Sequence, residues 1–452
     1  MAKGHTLDLT TGSVTKKLLT FAFPILMSNI LQQLYNTADM IVVGRFAGEN
    51  ALAAVGATGA ITVLIINLFF GLSIGANIIC SNLYGARNQE DLRRCMHTSV
   101  LVSVICGAIL SIMGFFLSRP LLQLTACPET VIDQAELYMQ LYFAGAPVGM
   151  LFNFGAAILR AHGDTKRPMI ILMVSGLVNV GLNLLLVIVF HMGVAGVAIA
   201  TVVSQLVSAV VVAYILFDPK EAYALKLREL KVHPDQLRKL ISIGVPCGLN
   251  GMVFSFANVI LQSSVNSMGE VVVAAAASSS KITDIVYMIL SSSYSACVSF
   301  AGQCYGAKKY KRIDELLGKS IALCGAAVAC CALILTLFPE VFLSLFTNSS
   351  EVIATARPML LIFAWSYVLY SVPECTIGCI RGMGKSTIPT IMNAFCICVP
   401  RIIWNYFFFP MNPTLGWLYL CFPISYVICS IAQLSYFFRC RKKMLQDAND
   451  FV

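Results

Sequence analysis

Five ionisable side chains lie inside long apolar segments of this chain, and they offer the most chemistry. They are Asp39, Lys281, Asp284, Glu374 and Arg401. A charged group within a hydrocarbon layer is costly, so it is usually kept where it moves an ion or contacts a polar ligand. We therefore treat each of the five as a candidate functional residue.

Asp39 is the strongest candidate for proton transfer. It lies about 22 residues into a first apolar segment, which places it in the outer half of a membrane if that segment begins inside. Gln32, Tyr35 and Asn36 precede it by one to two helical turns, on or near one face. A carboxylate removed from water without a counter-charge favours its protonated form, which suits it to take up and release a proton. The structural alternative is a carboxyl group that stays protonated and hydrogen-bonded.

The other four charges fall in the second half of the chain. Lys281 and Asp284 are three residues apart, so a local ion pair on one helix would explain them without a function. The functional alternative is that they line a water-filled cavity with Arg401 and Glu374. The seventh apolar segment supplies three further polar groups for such a cavity, namely Asn250, Asn258 and Gln262.

Enzymatic and metal chemistry find little support in the sequence. The five His residues fall in loops or near segment ends, and no Ser-His-Asp pattern accompanies them. The 17 Cys residues lack metal-ligand spacing, which is typical of small apolar packing residues that stay reduced. We therefore expect no enzyme activity, no metal and no cofactor beyond a coupling ion, H+ or Na+.

The elements that position these side chains are membrane spans. Hydrophobic residues make up 58% of the chain and charged residues 12%, against about 25% charged residues in a soluble domain. The apolar runs are continuous and roughly 20 residues or longer, which indicates helices rather than barrel strands. We predict an all-α polytopic membrane protein with twelve transmembrane helices. They are expected at about 17–43, 51–80, 95–117, 135–159, 168–190, 193–217, 238–266, 271–300, 318–338, 356–380, 389–410 and 415–438.

Basic residues sort to one side of these spans. If the N-terminus is cytoplasmic, 26 of the 31 Lys and Arg residues fall in the terminal tails and the inner connections. The opposite side holds Arg45, Arg119 and Arg357. This bias predicts both termini in the cytoplasm, and it argues against nucleic acid as the reason for the net charge of +9. The polar stretch Met1–Lys17 shows no cleavable signal, so we expect none.

A motif occurs twice at a spacing of 221 residues. Arg160 to Pro168 (RAHGDTKRP) returns as Arg381 to Pro389 (RGMGKSTIP), and Tyr84-Gly85-Ala86-Arg87 returns as Tyr305-Gly306-Ala307-Lys308. The duplication predicts two pseudo-symmetric six-helix lobes with the same orientation in the membrane. The Arg-x-x-Gly loops themselves lack the ending of a phosphate-binding loop and are expected to anchor helix ends.

The longest polar stretch divides the two lobes. We predict an N-lobe at 1–217, a cytoplasmic linker at 218–239 with a short amphipathic helix, and a C-lobe at 240–452. Pro24 and Pro246 lie early in the first span of each lobe, where a proline permits a kink. They are either static bends or hinges that move during transport.

The chain resembles the multidrug and toxic compound extrusion (MATE) family of cation-coupled exporters over nearly its whole length. The resemblance rests on ordered motifs, each weak alone. They are Ala22-Phe23-Pro24, Asp39 to Arg45 (DMIVVGR), Ala51 to Gly56 (ALAAVG), Tyr84-Gly85-Ala86, Gly302 to Ala307 (GQCYGA) and the paired Arg-x-x-Gly loops.

The resemblance implies two V-shaped lobes, alternating access, and export of amphipathic organic cations in exchange for H+ or Na+. It places Asp39 on the family's coupling carboxylate and implies related roles for residues that match polar positions of the family. Pro24, Gln32 and Tyr35 match positions grouped with Asp39, Asn179 and Thr201 match polar positions on the fifth and sixth helices, and Tyr138 matches a fourth-helix position that we expect to contact substrate. On their own chemistry, Asn183 joins the expected coupling residues, and Asn36 and Gln262 join the expected substrate contacts.

Two departures from the family pattern favour H+ over Na+. Asn183 stands where many members carry a second acid, and Val253 lies near a position that is Glu in some members. The alternative function is a lipid-linked oligosaccharide or lipid flippase of the same superfamily, and an intramembrane enzyme is the remaining alternative. We expect a monomer in the cytoplasmic membrane of a bacterium, acting on small amphipathic molecules.

Overall fold

A computed structural model describes residues 6–125, 127–219, 221 and 224–449. The described residues form helices and connections without strands. Eleven helices are long and apolar enough to cross a membrane, or twelve when a bent pair counts as one span. The all-α polytopic fold is thereby confirmed.

The helices are α1 Val14–Val42, α2 Glu49–Gly85, α3 Gln89–Leu124, α4 Glu129–Ala144, α5 Ala146–Ala161, α6 Lys166–Asn183, α7 Gly193–Phe217, α8 Pro234–Asn266, α9 Glu270–Gly306, α10 Tyr310–Leu337, α11 Pro339–Leu343, α12 Ser350–Gly382, α13 Thr387–Asn393, α14 Val399–Ile403, α15 Leu415–Tyr419 and α16 Cys421–Asn449.

The sequence duplication is repeated in the backbone. Gly48 precedes α2 with φ +91°, and Gly269 precedes α9 with φ +96°. The two Arg-x-x-Gly loops turn at glycines with φ +87° and +81°, at positions 163 and 384. Each pair is 221 residues apart, like the motifs. Glycine suits these positions because a side chain disfavours the left-handed region. Since the glycines recur at the same spacing as the motifs, the same turns begin or end the matching helices in both halves.

The fourth predicted span is the bent pair. Helices α4 and α5 meet at an angle of 49° around Gly145. The cause is Pro147, whose ring excludes the hydrogen bond to the carbonyl of Phe143 four residues earlier. Ser111 on α3 donates its hydroxyl to that carbonyl at 2.6 Å. A broken helix is tolerated in lipid because a neighbouring side chain satisfies the freed group.

Across the described ranges, four π-helical turns interrupt the spans. They are Val43–Ala47, Leu184–Val189, Ala394–Cys398 and Trp404–Phe408. A π turn holds one residue more than an α turn. The turn at Ala394–Cys398 has no partner in the first half, so the repeat spacing grows from 221 to 222 beyond it. On this basis Arg401 is the counterpart of Asn179, and Asn405 is the counterpart of Asn183.

The prediction of a short amphipathic helix in the linker is wrong for the described residues between α7 and α8. Before α8 begins at Pro234, the only helical segment there is a 3-10 turn at Leu227–Glu229. The linker bonds to α3 instead: the Lys226 N–H donates to His97 Nε2 at 3.5 Å, and the His233 N–H donates to Thr98 Oγ1 at 3.1 Å. Backbone groups satisfied in this way have less need of helical partners. Lys220, part of the predicted inner charge, lies outside the described residues, as do Lys3 and His5.

The chain forms two compact units. The first comprises Met1–Asp8 and Met27–Gly248, and the second Leu9–Leu26 and Leu249–Val452. Helices α1 and α8 therefore each contribute one part to either unit. The predicted lobe and linker boundaries divide the chain by sequence rather than by contact, and they stay a prediction.

A seam of glycines joins α2 and the early part of α8 within the first unit. A Cβ on Gly71 would lie 2.1 Å from the backbone nitrogen of Gly248, and a Cβ on Gly75 would lie 3.0 Å from Cα of Gly244. Helices approach this closely in membranes where small residues recur every four positions. The seam fixes α8 against α2 with almost no room for side chains.

Candidate functional site

The first unit gathers a polar cluster around Asp39. The Asn183 amide on α6 donates a hydrogen bond to Asp39 Oδ1, and the Thr201 side chain on α7 also hydrogen-bonds to this carboxylate. Asn183 donates to Asn179 Oδ1 at 3.4 Å, and the Asn179 amide reaches Thr201 Oγ1 at 3.5 Å. Asn183 is fully buried. Four of the six predicted coupling residues therefore form one network across three helices.

The network contains one acid and otherwise neutral groups. Among the described residues, no Lys, Arg or His forms an ion pair with Asp39. Asn183 Oδ1 is buried and lacks a hydrogen-bond partner in the described part of the chain. An ionised Asp39 uses the Asn183 amide as a donor, whereas a protonated Asp39 would need an acceptor. The same side chain carries both groups, so the cluster suits a carboxyl group that changes its protonation state.

Tyr35, Gln32 and Asn36 are not part of this hydrogen-bonded network. The Tyr35 hydroxyl donates to the carbonyl of Met173 at 3.2 Å. Its ring covers Gly176, where a Cβ would lie 1.7 Å from the ring. Gln32 and Asn36 are exposed on α1. Sequence spacing placed them on or near the face of α1 that carries Asp39, but the hydrogen-bond partners of this carboxylate come from α6 and α7.

Tyr138, on α4, lies beside the same cluster. It stacks on Tyr142 with ring centroids 6.1 Å apart and packs against apolar residues that include Val42 and Val43. Tyr142 hydrogen-bonds to the Gln205 side chain, a polar contact that the sequence offered no reason to single out. Whether Tyr138 contacts substrate stays a prediction.

Pro24 and Pro246 lie within helices α1 and α8, which continue through them. Pro24 is buried. Both prolines occupy the early part of their helix, as expected from the sequence. Their proposed hinge role stays a prediction.

The second unit contains a cavity of about 390 Å³ whose wall is largely aromatic. Asp284, Asn258 and Gln262 line it, as predicted from the sequence. The individual aromatic residues of this wall were not predicted, because Phe and Tyr within apolar spans resemble packing residues. The tyrosines in these spans could have indicated a cavity, because the hydroxyl of a buried Tyr needs a hydrogen-bond partner or contact with water. The aromatic members are Phe254, Tyr287, Phe363, Tyr367, Tyr419, Phe422 and Tyr426.

The four predicted charges of this half do not converge. Arg401 is 1% exposed and lies behind the aromatic wall, with its Nη1 3.4 Å from Asn258 Oδ1. Lys281 is exposed, is not among the cavity-lining residues and forms no ion pair with Asp284 in the described structure. Glu374 is buried on α12, where it hydrogen-bonds to Tyr370. The local Lys281–Asp284 pair that would have explained both residues is therefore not formed.

The Arg-x-x-Gly loop of the second half anchors helix ends, in keeping with the structural interpretation. Arg381 is 3% exposed. Its Nη1 donates to the Tyr294 hydroxyl at 2.8 Å, and its Nη2 donates to Thr390 Oγ1 at 3.0 Å. These bonds tie the end of α12 to α9 and α13.

Comparison with known proteins supports the duplication and the fold. The MatE family model matches residues 24–185 and again residues 246–407. The probable multidrug resistance protein YoeA of Bacillus subtilis is 29% identical over 394 residues, which cover 85% of each chain. The FAD transporter of Shewanella oneidensis is 25% identical over 369 residues, covering 79% of this chain and 80% of the relative.

The fold also has a close structural neighbour. The outward-facing structure of a multidrug resistance MATE family transporter of the MOP superfamily superposes with a TM-score of 0.91 over 99% of this chain and 100% of the other, at 23% identity. The resemblance seen in the motifs is confirmed. This chain belongs to the MatE family, whose members are multi-pass membrane transporters rather than enzymes.

Proposed function

We propose that this chain is a proton-coupled antiporter that exports amphipathic organic cations by alternating access. Asp39 is the coupling residue. The observation that carries the proposal is that its carboxylate, lying in an apolar helix, is held by a neutral amide and a hydroxyl group and by no cation of the described residues. Relatives named multidrug resistance proteins support the substrate class.

Proton uptake would change the hydrogen bonding between α1 and α6. When Asp39 is ionised, the Asn183 amide donates to it. When Asp39 is protonated, its new hydroxyl needs an acceptor, and Asn183 Oδ1 can serve after the amide group turns over. That turn breaks the 3.4 Å bond to Asn179. The two protonation states therefore favour different packing of α1, which is the differential stability that a coupling ion must supply.

The donor set around Asp39 favours a proton over a sodium ion. A hard cation needs several oxygen ligands arranged around it. Here an amide nitrogen occupies Asp39 Oδ1, and an Asn stands at 183, where the resemblance implies an acid in many family members. A sodium ion would have to displace the Asn183 amide, whereas a proton needs only the carboxylate itself.

The test is proton-driven efflux in proteoliposomes that contain the Asp39→Asn variant. We expect normal folding and reconstitution but loss of transport of a cationic dye under an imposed pH gradient. Glu374→Gln is the matched control, since it removes a buried acid of the second half that does not line the cavity. Normal export by Asp39→Asn together with loss in Glu374→Gln would place coupling in the second half. Transport driven by a sodium gradient alone would show that the coupling ion is Na+.

The flippase alternative is tested in cells. Resistance of a pump-deficient bacterial host to cationic dyes supports the exporter. Rescue of a flippase-deficient strain, without any gain in resistance, would replace the exporter with the flippase. The Shewanella relative is named for a flavin dinucleotide, so an anionic aromatic compound belongs in the substrate panel.

The proposed orientation places both termini in the cytoplasm of a bacterial plasma membrane. Reporter tags inserted at residue 230 should be cytoplasmic, and tags at residues 125 and 350 should be outside, because the basic residues cluster on the side of residue 230. A tag at any of these positions on the opposite side would overturn the orientation.

A further inference from the structure

The segment that precedes α1 is held on the second unit through its backbone. Leu9–Leu26 belongs to that unit, whereas the later part of α1, which carries Asp39, belongs to the first. Leu9 is fully buried, and its N–H donates to Gln303 Oε1 at 3.0 Å. Gln303 lies near the end of α9 and is also fully buried. The chain is therefore fixed on the second unit before α1 begins at Val14.

Three successive carbonyl groups of this segment accept hydrogen bonds from cationic side chains. Arg312 donates from Nε to the Leu9 carbonyl at 3.0 Å and from Nη2 to the Thr11 carbonyl at 2.6 Å. Lys309 donates from Nζ to the Thr10 carbonyl at 2.9 Å. A hydrogen bond from a charged donor is about twice as strong as one between neutral groups. We call the three side chains that hold this backbone the clamp: Gln303, Lys309 and Arg312.

Arg312 has the surroundings of a residue that orients a backbone. Its guanidinium carbon lies 5.4 Å from the centroid of the Phe300 ring, and it forms no ion pair with a carboxylate of the described residues. The ring and the two carbonyl groups thus fix the guanidinium without an acid. Because the clamp contacts backbone atoms, the side chains of residues 9–11 gave no sign of it in the sequence.

A related but weaker contact precedes α8, the other helix that belongs partly to each unit. Two N–H groups of the linker donate to His97 Nε2 at 3.5 Å and to Thr98 Oγ1 at 3.1 Å on α3, the counterpart of α10. Neither bond has a cationic donor. The counterpart of Arg312, at a spacing of 221, is Asp91, an acid. Across the described ranges, the cationic clamp therefore distinguishes the helix that carries Asp39.

The clamp and the coupling carboxylate hold the two ends of one helix. Pro24 lies between them, at a position where a helix can bend. If the start of α1 were free, a change of packing at Asp39 could be absorbed by movement of the first turns alone. A rigid element transmits a change between two sites only when it is held at both. The clamp supplies the hold at the start of α1.

We propose that Gln303, Lys309 and Arg312 are positioning residues of the transport cycle. They hold the start of α1, so that the repacking of this helix when Asp39 binds a proton acts on the second unit as well as on the first. The proposal rests on the proton-coupled export given above and names the residues through which the second unit takes part in it. None of the three lines the cavity of the second unit, so dye affinity should not depend on them.

Hydrogen exchange measures the clamp itself. Purified protein in lipid nanodiscs is transferred to deuterated buffer, and a peptide that covers residues 7–13 is followed by mass spectrometry. The Leu9 amide exchanges when the segment lifts away from Gln303. Arg312→Gln should raise the exchange rate about tenfold, the size expected when hydrogen bonds from a charged donor are lost.

Lys311→Gln is the matched control for hydrogen exchange. Lys311 is exposed on the same helix and makes no bond to residues 9–11 in the described structure, so this variant should exchange like the wild type. Unchanged exchange in Arg312→Gln would refute the clamp.

Proton-driven dye efflux in proteoliposomes tests the positioning role. Per folded protein, Arg312→Gln should lower the maximal rate about tenfold, in proportion to the weakened hold. The dye concentration and the pH that give half the maximal rate should stay as in the wild type, because the dye and proton sites are intact. Arg312→Lys, which keeps the charge and can reach one carbonyl group, should restore part of the rate. Raised exchange together with wild-type transport in Arg312→Gln would refute the positioning role.

Lys309→Gln decides if Arg312→Gln does not fold. It removes only the bond to the Thr10 carbonyl, so we expect a smaller rise in exchange and a smaller loss of rate. Wild-type values of both in Lys309→Gln would then overturn the proposal.

Asp39→Asn separates this proposal from the export function, because its neutral side chain mimics the protonated carboxyl group. If α1 transmits its repacking to the clamp, the exchange rate of residues 7–13 in this variant should differ from the wild type by at least about twofold, without any pH gradient. Identical exchange would refute transmission along α1, whatever the transport result. A wild type that exports no dye, but shows this difference, would refute export alone.

Discussion

The two halves of the chain place different charges at matching helix positions. Asp39 on α1 corresponds to Leu261 on α8, because both this pair and the prolines inside the two helices, Pro24 and Pro246, are 222 residues apart. Asn179 corresponds to Arg401. The first half thus carries an acid among neutral amides, and the second carries a guanidinium group among aromatic rings.

The two halves share their helices and turns through the duplication, whereas the charged residues differ between the two sites. The helices, their turns and their left-handed glycines are common to both halves. The charges are not, and they differ in kind: a carboxyl group buried in an apolar site can become neutral by binding a proton, whereas arginine keeps its charge. The first site is suited to respond to pH, whereas the second keeps its positive charge.

Matching positions on α2 and α9 differ in a similar way. On α2, Gly71 packs against the backbone of Gly248 on α8, and no side chain fits between them. The counterpart of Gly71 on α9 is Ser292, a buried residue whose hydroxyl donates to its own helix. The same helix position therefore carries a side chain in one half and excludes one in the other.

The largest effect is expected from Gly71→Leu. Its side chain would overlap the backbone at Gly248, where even a Cβ would approach to 2.1 Å. Overpacking commonly costs about 1–3 kcal/mol, and here backbone rather than a flexible side chain must move. We expect little folded protein by size-exclusion chromatography in detergent.

Gly56→Ala and Ser292→Ala are the controls for the seam. A Cβ on Gly56 meets no atom within 4 Å, and Ser292→Ala removes only a hydroxyl. Both should yield normal amounts of folded protein. Full recovery of folded Gly71→Leu would show that α8 does not need its close contact with α2.

The second largest effect should come from Asn179→Arg, which installs the cation of the second half beside Asp39. A permanent positive charge next to this carboxylate keeps it ionised over a wider range of pH. We expect proton-driven dye transport to fall at least about tenfold. Transport rates across a series of external pH values provide the measurement.

The reciprocal change, Arg401→Asn, tests the other side of the comparison. It should leave proton-driven transport of a purely cationic dye unchanged, because the coupling network lies in the other half. Normal coupling in Asn179→Arg, or lost coupling in Arg401→Asn, would mean that the roles assigned to the two halves are reversed.

The sequence predicted most of the fold because the signals involved are long. Apolar length, charge sidedness and a repeated motif each extend over many residues, so an error of a few positions does not change them. The bend at Gly145 and the extra π turn at Ala394–Cys398 were not predictable in the same way. One inserted residue leaves hydropathy unchanged but rotates every later side chain by about 100°.

The site was predicted where a residue's chemistry was unusual and missed where it was ordinary. Asp39 stood out because an acid is rare in an apolar span. The family resemblance supplied Asn179 and Thr201, and Asn183 was noted where the family pattern has an acid. The aromatic cavity wall did not stand out, because Tyr367 and Tyr426 look like packing residues in a linear sequence. Lys281 was grouped with Asp284 by spacing alone, yet the structure leaves it outside the cavity.

The smallest change is expected from Asn183→Asp, and it tests the coupling network most finely. This substitution restores the second acid that the family resemblance implies in many members and removes the amide that donates to Asp39. Two adjacent carboxyl groups resist being ionised together, so one of them holds its proton to higher pH. We expect the pH of half-maximal transport to rise by about one unit, measured as initial efflux rates between mildly acidic and alkaline pH.

Asn405→Asp is the matched control, because Asn405 is the counterpart of Asn183 and accepts a hydrogen bond from Ser264 at 2.7 Å. It should leave the pH profile unchanged. If the pH profile shifts in Asn405→Asp and not in Asn183→Asp, the network around Asp39 is not part of the coupling mechanism. If transport by Asn183→Asp becomes dependent on sodium, a single amide group separates proton coupling from sodium coupling in this fold.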